Sequence, residues 1–458
     1  MAKPDKNYML SGPLLPGIIR YTIPVILTGL LQMLFNSADM VVVGRFCGSI
    51  SVAAVGATGA ITRLIINLFI GISTGAGVVI ARSIGAGEEG AIHRAVHTAV
   101  LTALGGGVIL TAIGMPLARP LLTMMETPEN VLPLSVIYMQ IIFAGMTFTM
   151  LYNFCAAILR AAGDTQSPLR YLTIAGVMNV ALNVFFVTVL DMNVAGVALA
   201  TILSQGFSAV SLLVVLMRRT DACRFVFSRM RIYKAQLLEM IRIGIPAGLQ
   251  SSLFSISNVL VQSSINSFGD VVMSGHSSAQ NIDNIVWMIT NSFHQTAVNF
   301  VGQNSGAKQY KRVGQVMWRT LVAMVVTGLV SGLLMIAFAP QLLSIYITDS
   351  PAAIEYGVLR MTIFCSTYWV CGLMDVMVGG IRGMGVSVPP MVVSILGICG
   401  LRVLWITTIF KIPEYHTLTS LYASYPISWG ITFFLQLAIF LSVYRSRRRQ
   451  FPEEAAIS

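Results

Sequence analysis

Apolar residues gather into long runs separated by short polar connections. The runs lie at about 17–43, 50–80, 95–118, 132–158, 171–190 and 194–217. After a basic stretch they resume at about 238–266, 271–301, 320–340, 354–380, 390–410 and 418–443. A helix crosses the hydrocarbon core of a bilayer in about 20 residues, so each run is long enough to span. The pattern predicts an all-α integral membrane protein with twelve transmembrane helices.

The run from Ile18 to Val43 carries two features that lipid-facing sequence does not need. Pro24 has no amide hydrogen and leaves a backbone carbonyl unpaired, which loosens the helix there. Asp39 is the only carboxylate in the first six runs. A carboxylate at the centre of a membrane helix costs about 3 kcal/mol, so such residues usually face a cavity and act there. The alternative is that Asp39 lies close enough to the interface to reach water.

The two halves repeat. Ile19-Arg20-Tyr21-Thr22-Ile23-Pro24 returns as Ile241-Arg242-Ile243-Gly244-Ile245-Pro246. Ser83-Ile84-Gly85-Ala86 returns as Asn304-Ser305-Gly306-Ala307. Arg160, Gly163 and Pro168 return as Arg382, Gly385 and Pro390, and the offset between the copies stays nearly constant throughout. Each copy holds an even number of spans, so the copies share one orientation about an axis along the membrane normal. The expected organisation is an N-terminal six-helix bundle over 1–217, a basic linker over 218–236 and a C-terminal six-helix bundle over 237–458. Gly71 and Gly75, four residues apart, let helix backbones approach closely.

Composition and charge narrow the class. Hydrophobic residues make up 55% of the chain and charged ones 10%, against about 25% charged in a soluble domain. The net charge of +11 could suggest nucleic acid, but its placement points elsewhere. With the N-terminus in the cytoplasm, the tails, the even-numbered connections and the span ends adjoining them hold 23 of the 29 Lys and Arg residues. That is a positive-inside asymmetry, placing both termini in the cytoplasm and the basic surface against anionic lipid, with no nucleic-acid partner. No cleavable signal peptide is visible at the start, MAKPDKNYMLSGPLLPG. The six cysteines show no metal spacing and read as packing residues.

The segments NSADMVVVGRF, AAVG, IGAG and LRAAGDTQSP, with VGQNSGAKQY and IRGMGVSVPP in the second half, resemble the multidrug and toxic compound extrusion (MATE) family over about residues 10–445. The resemblance implies two six-helix bundles forming a V-shaped cleft in a bacterial inner membrane. It implies a monomeric antiporter, not an enzyme, that exports organic cations or amphipathic drugs in exchange for Na⁺ or H⁺ and carries no other cofactor. The family's ion-coupling pocket carries over to Asp39, to Asn179 and Asn183, and to Thr201. Asn179 and Asn183 are four apart and share a helix face. Together these groups offer the oxygen donors a hard cation accepts. Several relatives have Asp where this chain has Asn183, so the pocket holds one negative charge here. That weakens the case for Na⁺, and a single carboxylate that can be charged or neutral also suits proton coupling.

The second half is polar differently. Gln250 lies on the seventh span, while Gln280, Asn284 and Asn291 share a face of the eighth. With Asp375 in the tenth span these are the expected substrate-cavity residues, although a pair with Arg360 or Arg402 would equally explain Asp375. The loop residues Arg160, Gly163, Pro168, Arg382, Gly385 and Pro390 are expected to be structural. An alternative function is a flippase for lipid-linked oligosaccharides. That would need a cationic cleft, for which only Arg63 and Arg402 stand deep in the spans.

Overall fold

In a computed structural model describing residues 8–348 and 350–451, the chain is helical, with no strand among the described residues. The first half holds α1 (Leu14–Val42), prolonged by a π-helical turn at Val43–Cys47, then α2 (Ser49–Ala86) and α3 (Glu89–Met124). The bent pair α4 (Leu132–Ala144) and α5 (Met146–Ala161) follows, then α6 (Gln166–Thr188) and α7 (Asn193–Arg218). The second half holds α8 (Lys234–Asn266), α9 (Asp270–Gly306), α10 (Tyr310–Ala337) with the short α11 (Ala339–Ser344), and α12 (Pro351–Gly383). A π-helical turn at Ile395–Gly400 joins α13 (Val388–Ser394) to α14 (Leu401–Thr407), and α15 (Leu418–Gln450) closes the chain. Counting each broken rod once, all twelve expected spans are present as helices.

Among the described residues, nine of these helices are long and apolar enough to cross a membrane, and ten if α4 and α5, bent by 46°, count as one span. The two that fall short are α8 and α9, whose faces carry the amides and hydroxyls noted above. Large apolar side chains elsewhere lie open, among them Val177, Leu333 and Phe434, each more than 60% exposed. Such a surface is stable against lipid and not against water.

The repeat is a repeat of packing as well as of sequence. In the first half α5 packs on α2, α3 and α7; in the second α12 packs on α9, α10 and α15. These are the fourth and tenth spans, each against the second, third and sixth of its own copy. The ends of α5 and α12 also match. Gly163 N–H donates to the Arg160 carbonyl and Asp164 N–H to that of Leu159, while Gly385 and Val386 do the same to Arg382 and Ile381. Both glycines sit at positive φ, +83° and +86°, closing the helix with a left-handed cap.

The packing divides the chain into two compact units. One runs from Ile23 to Gly248; the other joins the residues up to Thr22 with those from Leu249 onward. The boundaries fall beside Pro24 and Pro246, the prolines of the duplicated IRxxIP motif. Within the first unit, the start of α8 lies against α2 through glycines on both sides. A Cβ at Gly71 would stand 2.3 Å from the Gly248 nitrogen, and one at Gly75 would stand 2.2 Å from the Met240 carbonyl. The pair Gly71 and Gly75 therefore meets a second small-residue pair, Gly244 and Gly248, four apart on α8. In the other unit, the start of α1 lies against α9. Thr22 and Thr296 share a hydroxyl hydrogen bond of 2.8 Å, and Tyr21 packs edge-on to Phe300.

The basic segment between α7 and α8 is strapped down within the first unit. His97 donates from Nδ1 to the His93 carbonyl at 2.8 Å, which leaves Nε2 bare to accept the Val226 N–H at 3.1 Å. Phe225 stacks on the same ring, and Tyr233 N–H donates to Thr98 Oγ1. Arg219 holds Asp221, and burial pushes the nearby Cys223 thiol up to about 12, with the Asp221 charge adding to the shift.

Candidate functional site

The pocket around Asp39 is assembled by one close helix approach. Gly176 on α6 faces the ring of Phe35 on α1, where even a Cβ would stand 1.8 Å from the ring. Phe35 and Asp39 are one turn apart, as are Gly176 and Asn179, so this notch brings the polar stretch of α1 onto that of α6. Asn183 donates its amide hydrogen to Asp39 Oδ1 at 2.5 Å, and to Asn179 Oδ1 at 3.3 Å. Thr201 on α7 reaches Asp39 Oδ2 only at 3.4 Å, while its stronger bond, 2.9 Å, goes to the Val197 carbonyl. All four residues named from the sequence thus meet around one carboxylate.

The donor set is uneven. Asn179 and Asn183 are buried, Asp39 and Thr201 partly so. With its nitrogen given to two acceptors, Asn183 leaves Oδ1 buried and without a hydrogen-bond partner among the described residues. A buried acceptor without a donor costs about 1–3 kcal/mol. It stands beside a carboxylate that itself receives only one short bond. The arrangement is electron-rich and takes a cation or a proton more readily than a further acceptor.

The second unit distributes its polar residues differently. Gln280 and Asn284 on α9 are exposed, Asn291 half-buried, and Trp287 between them 43% exposed, forming one open amphipathic face. Gln250 is buried, its Oε1 accepting from Arg382 Nη2 at 2.7 Å. Asp375 makes no ion pair within 4.0 Å among the described residues. Its backbone carbonyl accepts from His294 Nδ1 at 2.7 Å, which fixes that ring's tautomer. Pro168 and Pro390 sit buried in the first turns of α6 and α13, where a missing amide hydrogen costs nothing.

Arg360 and Arg402, the two alternative partners for Asp375, are engaged elsewhere. Arg360 pairs with Asp283 at 3.0 Å, and it also donates to the His276 ring and lies over Phe364. Arg402 bonds to Ser428 and Asn258 and stacks on Tyr425 at 3.8 Å. The spacing of Asp283 on a polar face gave no sign of a buried pair, because its partner comes from another helix, α12.

The MatE family profile matches residues 24–185 and 246–406, one stretch in each half. The chain belongs to the MatE family. It is a MATE transporter and not an enzyme. It is 28% identical over 392 residues to the probable multidrug resistance protein YpnP of Bacillus subtilis, covering 86% of this chain and 87% of that protein. It is 28% identical over 440 residues to the probable multidrug resistance protein YoeA of the same organism, covering 93% and 94%. A crystal structure of a MATE in the straight conformation superposes with a TM-score of 0.90 at 20% identity, over 98% of this chain and all of that one. At that identity the superposition establishes a shared fold.

Proposed function

We propose that this MATE protein is a secondary active efflux transporter that exports organic cations or amphipathic drugs in exchange for Na⁺ or H⁺. In this reading Asp39, Asn179, Asn183 and Thr201 take the coupling ion. The proposal extends to a monomer in a bacterial inner membrane with both termini cytoplasmic, supported by the basic residues gathered on one side of the spans. The relatives named as multidrug resistance proteins support the efflux of drugs.

The observation that carries the reading is the buried, unpartnered Asn183 Oδ1 beside the Asp39 carboxylate. An ion shifts a two-state protein only as far as its affinity differs between the states. A half-buried carboxylate with a spare oxygen donor next to it gives such a difference. Na⁺ would gather these oxygens, and H⁺ would remove the charge directly. The exposed face of α9, with Gln280, Asn284, Trp287 and Asn291, supplies amides and an aromatic surface for an amphipathic substrate. Asp375 supplies a charge to attract a cationic one, and Gln250 acts through Arg382.

The flippase reading has less to draw on. Arg402 is already bonded and stacked, and the Arg63 side chain lies outside the described residues.

Reconstituted vesicles loaded with a cationic dye test the reading, driven separately by a Na⁺ gradient and a proton gradient. Asp39→Asn keeps the shape and removes the charge. The variant is expected to insert and bind dye like the wild type while gradient-driven efflux collapses. Wild-type efflux under both gradients would move the coupling site elsewhere, with Asp375 the next carboxylate to test.

A further inference from the structure

A groove of about 510 Å³ opens on the first unit, along a face of α7 on which Leu203, Phe207 and Val210 are exposed. Phe148 of α5, Tyr171 of α6, and Ile202, Gly206, Val210 and Val214 of α7 line it. Two local features create it. The fourth span bends by 46° at Gly145, where α4 meets α5, close to Phe148 in the groove lining. Gly206 then leaves an open floor, with Phe148 as its nearest neighbour at 3.5 Å from where a Cβ would stand.

The groove is lined by apolar side chains apart from Ser211 and the phenol of Tyr171, and exposed arginines stand beyond one end of it. From Ile202 to Val214 it follows α7 for about 18 Å at 1.5 Å rise per residue, close to the ~15 Å depth of one leaflet of the hydrocarbon core. Its volume lies within the ~300–1,000 Å³ of small-molecule sites. Beyond Val214 the same helix stripe runs on to Arg218, four residues further, in the last turn of α7 and exposed. Tyr171 and the exposed Arg170 stand near the start of α6, which lies at the same end because α6 and α7 are antiparallel neighbours. A largely apolar channel one leaflet deep, with two exposed arginines at the same end of α6 and α7, matches an acyl chain joined to a phosphate.

We propose that this groove is a binding site for an anionic phospholipid, with one acyl chain along α7 from Ile202 to Val214 and the headgroup phosphate on Arg218 and Arg170. The site rests on the chain being a membrane protein and is independent of which ion Asp39 takes. Ile202, at the groove's inner end, directly follows Thr201 of the Asp39 pocket, so the lipid packs on the back of a pocket helix.

The test uses the full chain in phosphatidylethanolamine vesicles containing a phosphatidylglycerol with a photoreactive diazirine in its acyl chain. After irradiation, labelled peptides are mapped by mass spectrometry. Label is expected to concentrate on residues 202–214 and on the segments holding Phe148 and Tyr171. Unlabelled phosphatidylglycerol should displace it and phosphatidylcholine should not. Gly206→Leu fills the floor, and Val210→Trp, at a half-exposed position, fills the same channel if the first variant folds poorly. Each should abolish labelling in the groove while leaving label on other spans unchanged. Arg218→Gln should lower it about fivefold, the weight of one arginine beside an anionic surface. Label spread evenly over the lipid-facing spans, or undiminished by both filled-groove variants, would overturn the proposal. So would displacement by the cationic dye in place of the lipid, which would make the groove a substrate site.

Discussion

Gly163 and Gly385, at equivalent positions of the two copies, close their helices with the same left-handed turn, at φ +83° and +86°. A third cap of this kind differs between the copies. Gly87 at φ +69° ends α2, and Lys308 at φ +58° occupies the matching place after α9. An L side chain in that conformation costs about 1–2 kcal/mol. Gly163→Ala and Gly385→Ala should therefore lower stability by similar amounts within that range, and Lys308→Gly should not lower it. Thermal unfolding in detergent compares the three. A large loss at Gly163 with none at Gly385 would show that the two caps bear different loads.

The Phe35 and Gly176 contact decides whether the Asp39 pocket exists. Gly176→Val places carbon atoms where the Phe35 ring stands, and α1 and α6 must move apart. Overpacking of this kind costs about 1–3 kcal/mol. Insertion should survive while coupled efflux falls. Phe35→Ala in the Gly176→Val background should recover part of it, since the ring is what collides. No recovery would mean that Phe35 is not the obstacle.

Asn183→Asp would set a second carboxylate in contact with Asp39. Two carboxylates that close cannot both stay ionised unless a cation or a shared proton lies between them. If the pocket takes the coupling ion, the variant should depend more strongly on Na⁺ than the wild type. Dye efflux across a Na⁺ titration at fixed pH reads this directly. An unchanged Na⁺ dependence would separate Asn183 from ion binding.

The buried pair Asp283 and Arg360 should matter most when half broken. Removing one partner of such a pair costs about 3–5 kcal/mol, while replacing both with apolar residues is often neutral. Asp283→Leu alone should unfold the protein at markedly lower temperature, and Asp283→Leu with Arg360→Met should restore much of the loss. If the double variant is as unstable as the single, the pair holds α9 to α12 through more than its charges.

Burial and the Asp221 charge hold the Cys223 thiol near 12. Only about one part in 10⁵ is then thiolate at pH 7, the form that reacts. Maleimide labelling of Cys223 should be slow in the native protein and rise with pH. His97→Ala, which removes the bond to Val226, should speed it. Fast labelling of the wild type would mean that the segment between α7 and α8 is not strapped down.

The proposed orientation predicts that cysteines placed at Glu129 and Glu414, both exposed, react with a membrane-impermeant reagent in intact cells. Cysteines at Glu88 and Arg445 should not. The reverse pattern would turn the topology over.

The sequence by itself determined the twelve spans and the duplication, features that are local or periodic; Asp39, Asn179, Asn183 and Thr201 were named by the resemblance to the MATE family and not by their spacing. Bilayer thickness sets the length of each apolar run, and a steady offset between two copies of a motif needs no coordinates to see. The duplicated glycines Gly163 and Gly385 were visible as repeated loop residues; that both close a helix with a left-handed turn came from the structure. Tertiary structure decided which groups face one another. That Asp283 pairs with Arg360 depends on the relative rotation of α9 and α12, whereas Asp375 stands about 22 Å from Arg360 along α12 itself, a separation the helix rise alone puts out of reach. That Asn183 gives its nitrogen to Asp39 as well as to Asn179 rests on a contact between α1 and α6 that neither helix's own sequence specifies. The lipid-facing groove depends on a bend at Gly145, between α4 and α5, meeting a missing side chain at Gly206 on α7. Hydrophobic pattern fixes which residues leave water; only packing fixes which of them then touch.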